Sequence, residues 1–307
     1  GLSLALWLLL PGLLGPVALP GARARGRRDG VPGEEARGEG DRHVRRDLQE
    51  TRSHDSQNTG LGIRASFPLS ENLRQAWQYG LAIEKVENLS SSASSLIKAQ
   101  EGTRYSSTIK HSLLYNTLDS KFSPSEGFSS RFSNELAGLG GNVFYLRNIL
   151  SGTKYYSPVE KWVLSTGGRI GHILGLGQDV QVADRFFLGG DTLRGFATAG
   201  VGPRDRNTLD SLGGEWIYSG RVQMRMPLGL PDELAIAGRL FSDFGSAGGV
   251  TPTNAAVFDS GSIRASVGAG LGWHSPFGPI NVDLGFPILK EDHDIERLFF
   301  FNIGFLN

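Results

Sequence analysis

From Gly60 to the end of the chain, apolar and polar residues alternate with period two, and this pattern constrains the fold more than any other feature. Leu61, Ile63, Ala65 and Phe67 alternate with Gly62, Arg64 and Ser66. Leu73, Trp77, Tyr79, Leu81 and Ile83 are set against Arg74, Gln78 and Glu84, and Tyr105, Ile109, Leu113 and Tyr115 against Arg104, Ser106, Thr108, Lys110 and Asn116. Successive side chains of a strand point to opposite faces, so each run describes a strand with one apolar and one polar face. Strand-length runs with aromatic ends suit a strand that shows one face to lipid and the other to a wet lumen. A soluble β-sandwich with one wet face is the alternative.

The pattern continues with Phe128, Phe132 and Leu136 against Arg131 and Glu135, then Trp162, Leu164, Ile170 and Leu174 against Ser165 and Arg169. It sharpens where Trp216, Tyr218, Val222, Met224 and Met226 share one parity and Glu215, Ser219, Arg221, Gln223 and Arg225 the other. Further runs follow at 234–244, 263–273, 280–288 and 298–305. The stretch 142–156 is ambiguous, because both parities carry apolar residues. Turn residues separate the runs, among them Pro124, Gly127, the pair Gly140 and Gly141, and the prolines of 227–231 and 276–279. About eleven strands are predicted. The expected class is all-β, a transmembrane antiparallel β-barrel over residues 57–307 with less than about a tenth helix.

Composition agrees with a barrel. The mean hydropathy is slightly negative, too polar for a bundle of membrane helices but not for strands whose alternate residues face water. The chain has 31 basic and 31 acidic residues and no cysteine. A disulfide framework and a thiolate metal site are therefore excluded, and nothing in the charge points to nucleic acid. The six histidines are scattered without metal-ligand spacing, and no serine lies in a nucleophile-elbow context. The sequence thus offers no catalytic set, no metal site and no cofactor. Asp283 and His274 read as lumenal polar residues rather than as an acid and base pair.

Residues 1–56 differ in kind. The first 19 are almost wholly apolar, like the core of a signal peptide but without a basic start, and Pro11, Gly12, Gly15 and Pro16 would break a membrane helix. Residues 20–56 are rich in Gly, Arg and Glu, with too few apolar side chains to bury a core, and disorder is predicted. Leu/Pro/Gly-rich followed by Arg/Gly/Ala/Glu-rich sequence is also what a GC-rich gene yields out of frame. The expectation is that 1–56 is foreign to the remainder and stays out of the sheet. With two Met in all and none at position 1, the chain reads as a fragment or a processed form.

One stretch breaks the alternation. Residues 186–206, FFLGGDTLRGFATAGVGPRDR, carry five glycines and several charges, yet too much Phe and Leu for a solvated loop. Such a loop must pack against something. Gly189, Gly190 and Gly195 permit positive φ or close backbone approach, as a loop folded into a narrow lumen requires. The run Gly-Gly-Asp-x-Leu-Arg-Gly-Phe, followed by Gly-Val-Gly-Pro-Arg-Asp and then GGEWIYSGRVQMRMPLGLPDEL, resembles the BamA family of outer-membrane β-barrel assembly factors, also called the bacterial surface antigen family. The resemblance covers roughly residues 58–307, and loop, following strand and C-terminal strand agree in order and spacing.

The resemblance implies a sixteen-strand barrel, of which these would be the last eleven strands. It makes 186–206 the loop that folds back into the lumen, with the motif Leu193, Arg194, Gly195 and Phe196 setting Arg194 against the inner wall. The family pattern supplies an inward Glu on the next strand and an inward Asp on the one after. The Asp matches Asp243, whereas the Glu position holds Gln223, an acceptor without the charge. At the C-terminus, Phe299, Phe301, Gly304 and Phe305 resemble the β-signal of outer-membrane proteins. The implied function is non-enzymatic: folding and insertion of β-barrel proteins in the bacterial outer membrane by strand templating at a lateral seam. The implied partners are unfolded outer-membrane proteins, outer-membrane lipid and accessory lipoproteins. A two-partner-secretion or TamA-like translocation pore shares the Arg-Gly-Phe loop and is the alternative. Circular dichroism of protein refolded in detergent is expected to show a strand spectrum; a helical one refutes the barrel.

Overall fold

The computed structural model describes residues 3–9, 55–87, 91–121, 123–251, 256–275 and 278–303. Its main feature is a twelve-stranded antiparallel sheet in which each strand pairs with its neighbours in sequence. The strands are β1 (Ser3–Leu9), β2 (Asp55–Pro68), β3 (Leu73–Glu87), β4 (Gly102–Asn116), β5 (Gly127–Gly141), β6 (Tyr145–Val159), β7 (Trp162–Gly175), β8 (Trp216–Pro227), β9 (Ile236–Gly248), β10 (Arg264–Ser275), β11 (Gly278–Leu289) and β12 (Phe299–Ile303). Ten of them, β2–β5 and β7–β12, fall where the alternation predicts strands, and β6 covers the ambiguous stretch 142–156. Among the described residues no ladder joins β1 to β12, so these two form the edges of the sheet. The longer connections, including 176–215 and 249–263, lie at one end of the sheet, and mostly shorter turns such as 69–72 and 160–161 lie at the other. No helix among the described residues is long and apolar enough to cross a membrane; the strands are the spanning elements.

The expectation for the first 56 residues needs correction at both ends. Ser3–Leu9 pairs with β2, from Ser3 opposite Ser66 to Leu9 opposite Gly60, and β2 itself begins at Asp55. The apolar run contains neither Gly nor Pro between Ser3 and Leu9, so nothing in it opposes an extended conformation, and pairing with β2 satisfies the backbone groups on that side. Residues 10–54, where disorder is expected, lie outside the described residues.

Alternation translates into two faces. Leu61, Ile63, Trp77, Tyr79, Leu81 and Ile83 stand exposed on the outer surface of β2 and β3, and Ile170, Leu174, Val222, Leu240 and Leu271 continue this apolar surface further round. In a soluble protein so wide an apolar surface would be a liability, whereas hydrocarbon takes it at no cost. The inner face is polar except in one sector. There Ala137, Val143, Tyr145, Ile173, Ile217 and Ala247 form one buried cluster with Phe186, Leu188, Leu193, Phe196 and Val201 of the loop, and Ile149 packs against it. This sector explains the ambiguous stretch 142–156. On the inward face of β6, Tyr145 and Ile149 are apolar because a folded-in loop covers them, while Leu150 and Tyr156 are apolar because they face outward.

Two isoleucines three residues apart on β7 separate these environments, since Ile173 is 0% exposed and Ile170 is 56% exposed. Ile173→Ala is expected to cost about 2–4 kcal/mol by opening a cavity under the loop. Ile170→Ala should stay within about 1 kcal/mol, since only lipid or detergent contact changes. Equilibrium denaturation in detergent compares the two.

Candidate functional site

The chain between β7 and β8 folds back over the inner wall rather than outward. Its ends are tied by reciprocal backbone bonds between Phe186 and Gly214, both at 2.8 Å, and Val201 donates to the Leu188 carbonyl at 3.1 Å. Arg185 holds the base of the loop by donating to the carbonyls of Val180, Leu212 and Thr251. Arg204 donates to those of Ala199 and Leu209. A short 3-10 turn over Gly190–Thr192 then leads into the motif, which lies against β8–β11.

Arg194 is 3% exposed and Asp243 is 0% exposed. The guanidinium forks onto the Asp243 carboxylate, Nε to Oδ2 at 2.8 Å and an Nη to Oδ1 at 2.9 Å, while the Arg194 backbone N–H donates to Oδ2 at 3.2 Å. Its other Nη donates to Gln223 Oε1 at 3.1 Å and to Asp283 Oδ2 at 3.0 Å. The guanidinium carbon lies 3.3 Å from the centroid of the Phe241 ring, a stacking contact suited to a planar, weakly hydrated cation. Leu193 and Phe196 on either side are fully buried. Gly195 has φ +96°, and a Cβ there would lie 2.9 Å from the Cβ of Ser266. On the wall opposite, a Cβ at Gly285 would lie 2.7 Å from the Gly195 nitrogen. Two glycines therefore let loop backbone touch wall backbone.

Strand register explains how the acceptors come together. Arg221 of β8 is directly opposite Asp243 of β9 and donates to it through Nε at 3.0 Å. A second Arg221 nitrogen donates to the backbone carbonyl of Asp191 in the loop. Gln223 lies two residues along β8, on the same inward face, and accepts from Arg239 at 2.8 Å as well as from Arg194. Asp283, on β11, also faces Arg239, with an N–O distance of 3.5 Å. The cluster holds three arginines (194, 221 and 239) against two carboxylates (243 and 283), one positive charge in excess, and Gln223 is the neutral acceptor between them. Asp283 and the two flanking arginines are the members that alternation alone does not single out. An inward parity was readable for each, but not its depth in the lumen.

The loop also grips the last hairpin. Gly195 and Phe196 pair with Arg297 and Glu296 in a short antiparallel ladder. Ala197 donates to the Ile295 carbonyl at 2.8 Å, and Ile295 donates to the Gly200 carbonyl at 3.0 Å. Asn302, within β12, donates to the Asp191 carboxylate at 2.9 Å. Of the predicted β-signal residues, Phe299 and Phe301 stand exposed on the outer face of β12; Gly304 and Phe305 lie outside the described residues. Gly189 (φ 130°) and Gly190 (φ 59°) shape the turn that delivers Arg194.

The model of the Omp85 superfamily domain matches residues 28–306, which include the strands and the Arg194 loop. The chain belongs to the Omp85 superfamily. It is 38% identical over 231 residues to the outer membrane protein assembly factor BamA of Neorickettsia risticii, covering 75% of this chain and 31% of that one. With BamA of Nitratidesulfovibrio vulgaris the identity is 30% over 248 residues, 79% of this chain and 30% of the relative. The crystal structure of Haemophilus ducreyi BamA lacking POTRA domains 1–3 superposes with a TM-score of 0.71 at 21% identity, over 82% of this chain and 55% of that one. The chain thus spans about a third of the length of these BamA relatives. As an Omp85 member built as a barrel wall, it is an outer-membrane protein.

Removing Arg194 strips Asp243 of its fork but leaves it the ion pair with Arg221, which limits the loss. Arg194→Ala is therefore expected to weaken loop docking by about 1–3 kcal/mol. Gln223→Glu cancels the excess positive charge and should tighten the loop. Limited proteolysis between Gly189 and Arg206 measures both, faster in the first variant and slower in the second; unchanged rates in both would show that this cluster does not hold the loop.

Proposed function

We propose that this chain is the barrel portion of an outer-membrane protein assembly factor, which folds and inserts β-barrel clients by offering them a strand edge. The observation that carries this reading is the clasp between the Arg194 loop and the segment leading into β12. A strand at a sheet edge has unpaired N–H and C=O groups, and in a medium without water those groups are costly until another strand takes them up. An unfolded client meets the same cost, so edge-to-strand pairing lowers the barrier to its insertion. For the edge to act as a template, its backbone must be held in place while its outer hydrogen bonds stay available. The loop supports that division of labour, since it touches β12 through Asn302 and fixes the preceding residues 295–297. Meanwhile β11 occupies the other side of β12.

The relatives support the general function through their name, outer membrane protein assembly factor. The proposed partners are unfolded outer-membrane proteins, outer-membrane lipid and accessory lipoproteins, and the activity is assembly rather than bond chemistry.

Because the sequence contains no cysteine, single introduced thiols report contacts without background. A Cys at Phe301 or Ile303 of β12 is expected to form disulfides with Cys placed along the last strand of an unfolded client during insertion into liposomes. A Cys at Ile170 of β7 should form none. Equal cross-linking at both strands, or client insertion that ignores the protein, would remove strand templating from the account.

A further inference from the structure

The inner face of β2–β7 carries a second polar feature, separate from the carboxylates that hold the loop. Register arranges its inward residues in lateral rows. One row runs Arg64, Gln78, Lys110, Glu135, Arg147 from β2 to β6. Another, four residues along each strand, runs Arg74, Leu114, Arg131, Ser151, Arg169 from β3 to β7. Between them lies a row that includes Ala76, Ser112 and Ser133, whose short side chains leave a hollow. The result is a cavity of about 410 Å³ with Arg64, Lys110, Arg131 and Arg169 around it and the hydroxyl residues Ser112, Ser133 and Ser151 in its lining. From strand spacing and rise, these cations stand about 10 Å apart across the strands and about 13 Å apart along them.

The cations here outnumber their counter-ions. Glu135 is the one carboxylate in the two rows, and it is already engaged, accepting from the Tyr145 hydroxyl at 2.6 Å and pairing with Lys110 and Arg147, each at 3.4 Å. Among the described residues Arg64 and Arg131 have no side-chain hydrogen bond or ion pair. The Nε of Arg169 is buried without an acceptor. In a chain whose charges balance overall, several cations converge on one hollow floored by small residues. The loop borders the cavity on one side, where the Phe186 ring lies 5.9 Å from the Arg169 guanidinium.

We propose that this cavity is a binding site for a phosphate-bearing polyanion, either a soluble polyphosphate or the headgroup of an anionic phospholipid. Guanidinium forks match phosphoryl oxygens two at a time, and serine hydroxyls supply further donors. A single carboxylate would satisfy one fork and leave the others unpaired, whereas linked phosphates reach cations on both rows. The site is independent of the assembly reading and stands or falls apart from it.

The test uses the full chain refolded in detergent, titrated calorimetrically with sodium tripolyphosphate at physiological ionic strength, where screening over about 8 Å suppresses diffuse attraction. Saturable binding is expected, and Arg131→Gln/Arg169→Gln should weaken it by about tenfold or more. Lys98→Gln/Lys290→Gln removes the same charge at the loop end and should change it by less than about twofold. The single Arg131→Gln variant, at an exposed position, serves if the double variant misfolds and should show part of the same loss. Nanodiscs of phosphatidylcholine with or without cardiolipin separate the sources: competition only from cardiolipin discs identifies the headgroup as an occupant, and its absence leaves soluble polyphosphate. The proposal is overturned if no saturable binding occurs, if both double variants weaken it equally, or if polyglutamate of matching charge binds as tightly with the same dependence on Arg131 and Arg169.

Discussion

The structure depends on how one buried cation is accommodated. Placing a guanidinium out of bulk water is costly unless its donors are met. Arg194 is met by two carboxylates, an amide oxygen and an aromatic face, drawn from β8, β9 and β11. These strands are not all neighbours, so their acceptors converge only when register is correct across the whole sector. Satisfying Arg194 therefore acts as a check on strand pairing as well as an anchor for the loop. The fully buried Leu193 and Phe196 add apolar burial on either side of the charge. A misplaced loop would lose both contributions together.

Much of this was legible in the sequence, for a reason specific to barrels. Lipid and lumen impose opposite demands on alternate residues, so parity announces itself over β2–β5 and β7–β11. The motif around Arg194 and its partner Asp243 were also readable, the first from its composition and both from resemblance. Where reading failed, the cause was tertiary. Tyr145 and Ile149 look like lipid-facing residues until the loop covers them. Asp283 carries the right parity, but its place beside Arg194 depends on the stagger between β10 and β11, where a register irregularity lies at Ala265/Ser266. Ser3–Leu9 shows the converse. Its uninterrupted apolar residues have no period-two signal, so the run could not be told from a signal-peptide core until its pairing with β2 was seen.

The relationship between loop and wall also divides the lumen into two electrostatic territories. Around Arg194, cations and carboxylates interlock and nearly balance. Beneath β2–β7, cations face a hollow with a single engaged carboxylate. The two territories meet at Phe186, whose ring lies within 5.6 Å of the Arg147 guanidinium and 5.9 Å of that of Arg169.

The position of the loop in the chain has a bearing on how the molecule folds. Arg194 precedes its partners by between 29 and 89 residues, and the ladder at Gly195 and Phe196 waits for residues 296 and 297. Contacts so distant in sequence form late, because closing long loops must precede any gain from them. Hairpins β8–β9 and β10–β11 can assemble locally, but the loop has no seat until both are present, and β12 is not fully fixed until the loop arrives. The wall therefore comes first and the plug second, with the terminal strand completed by both.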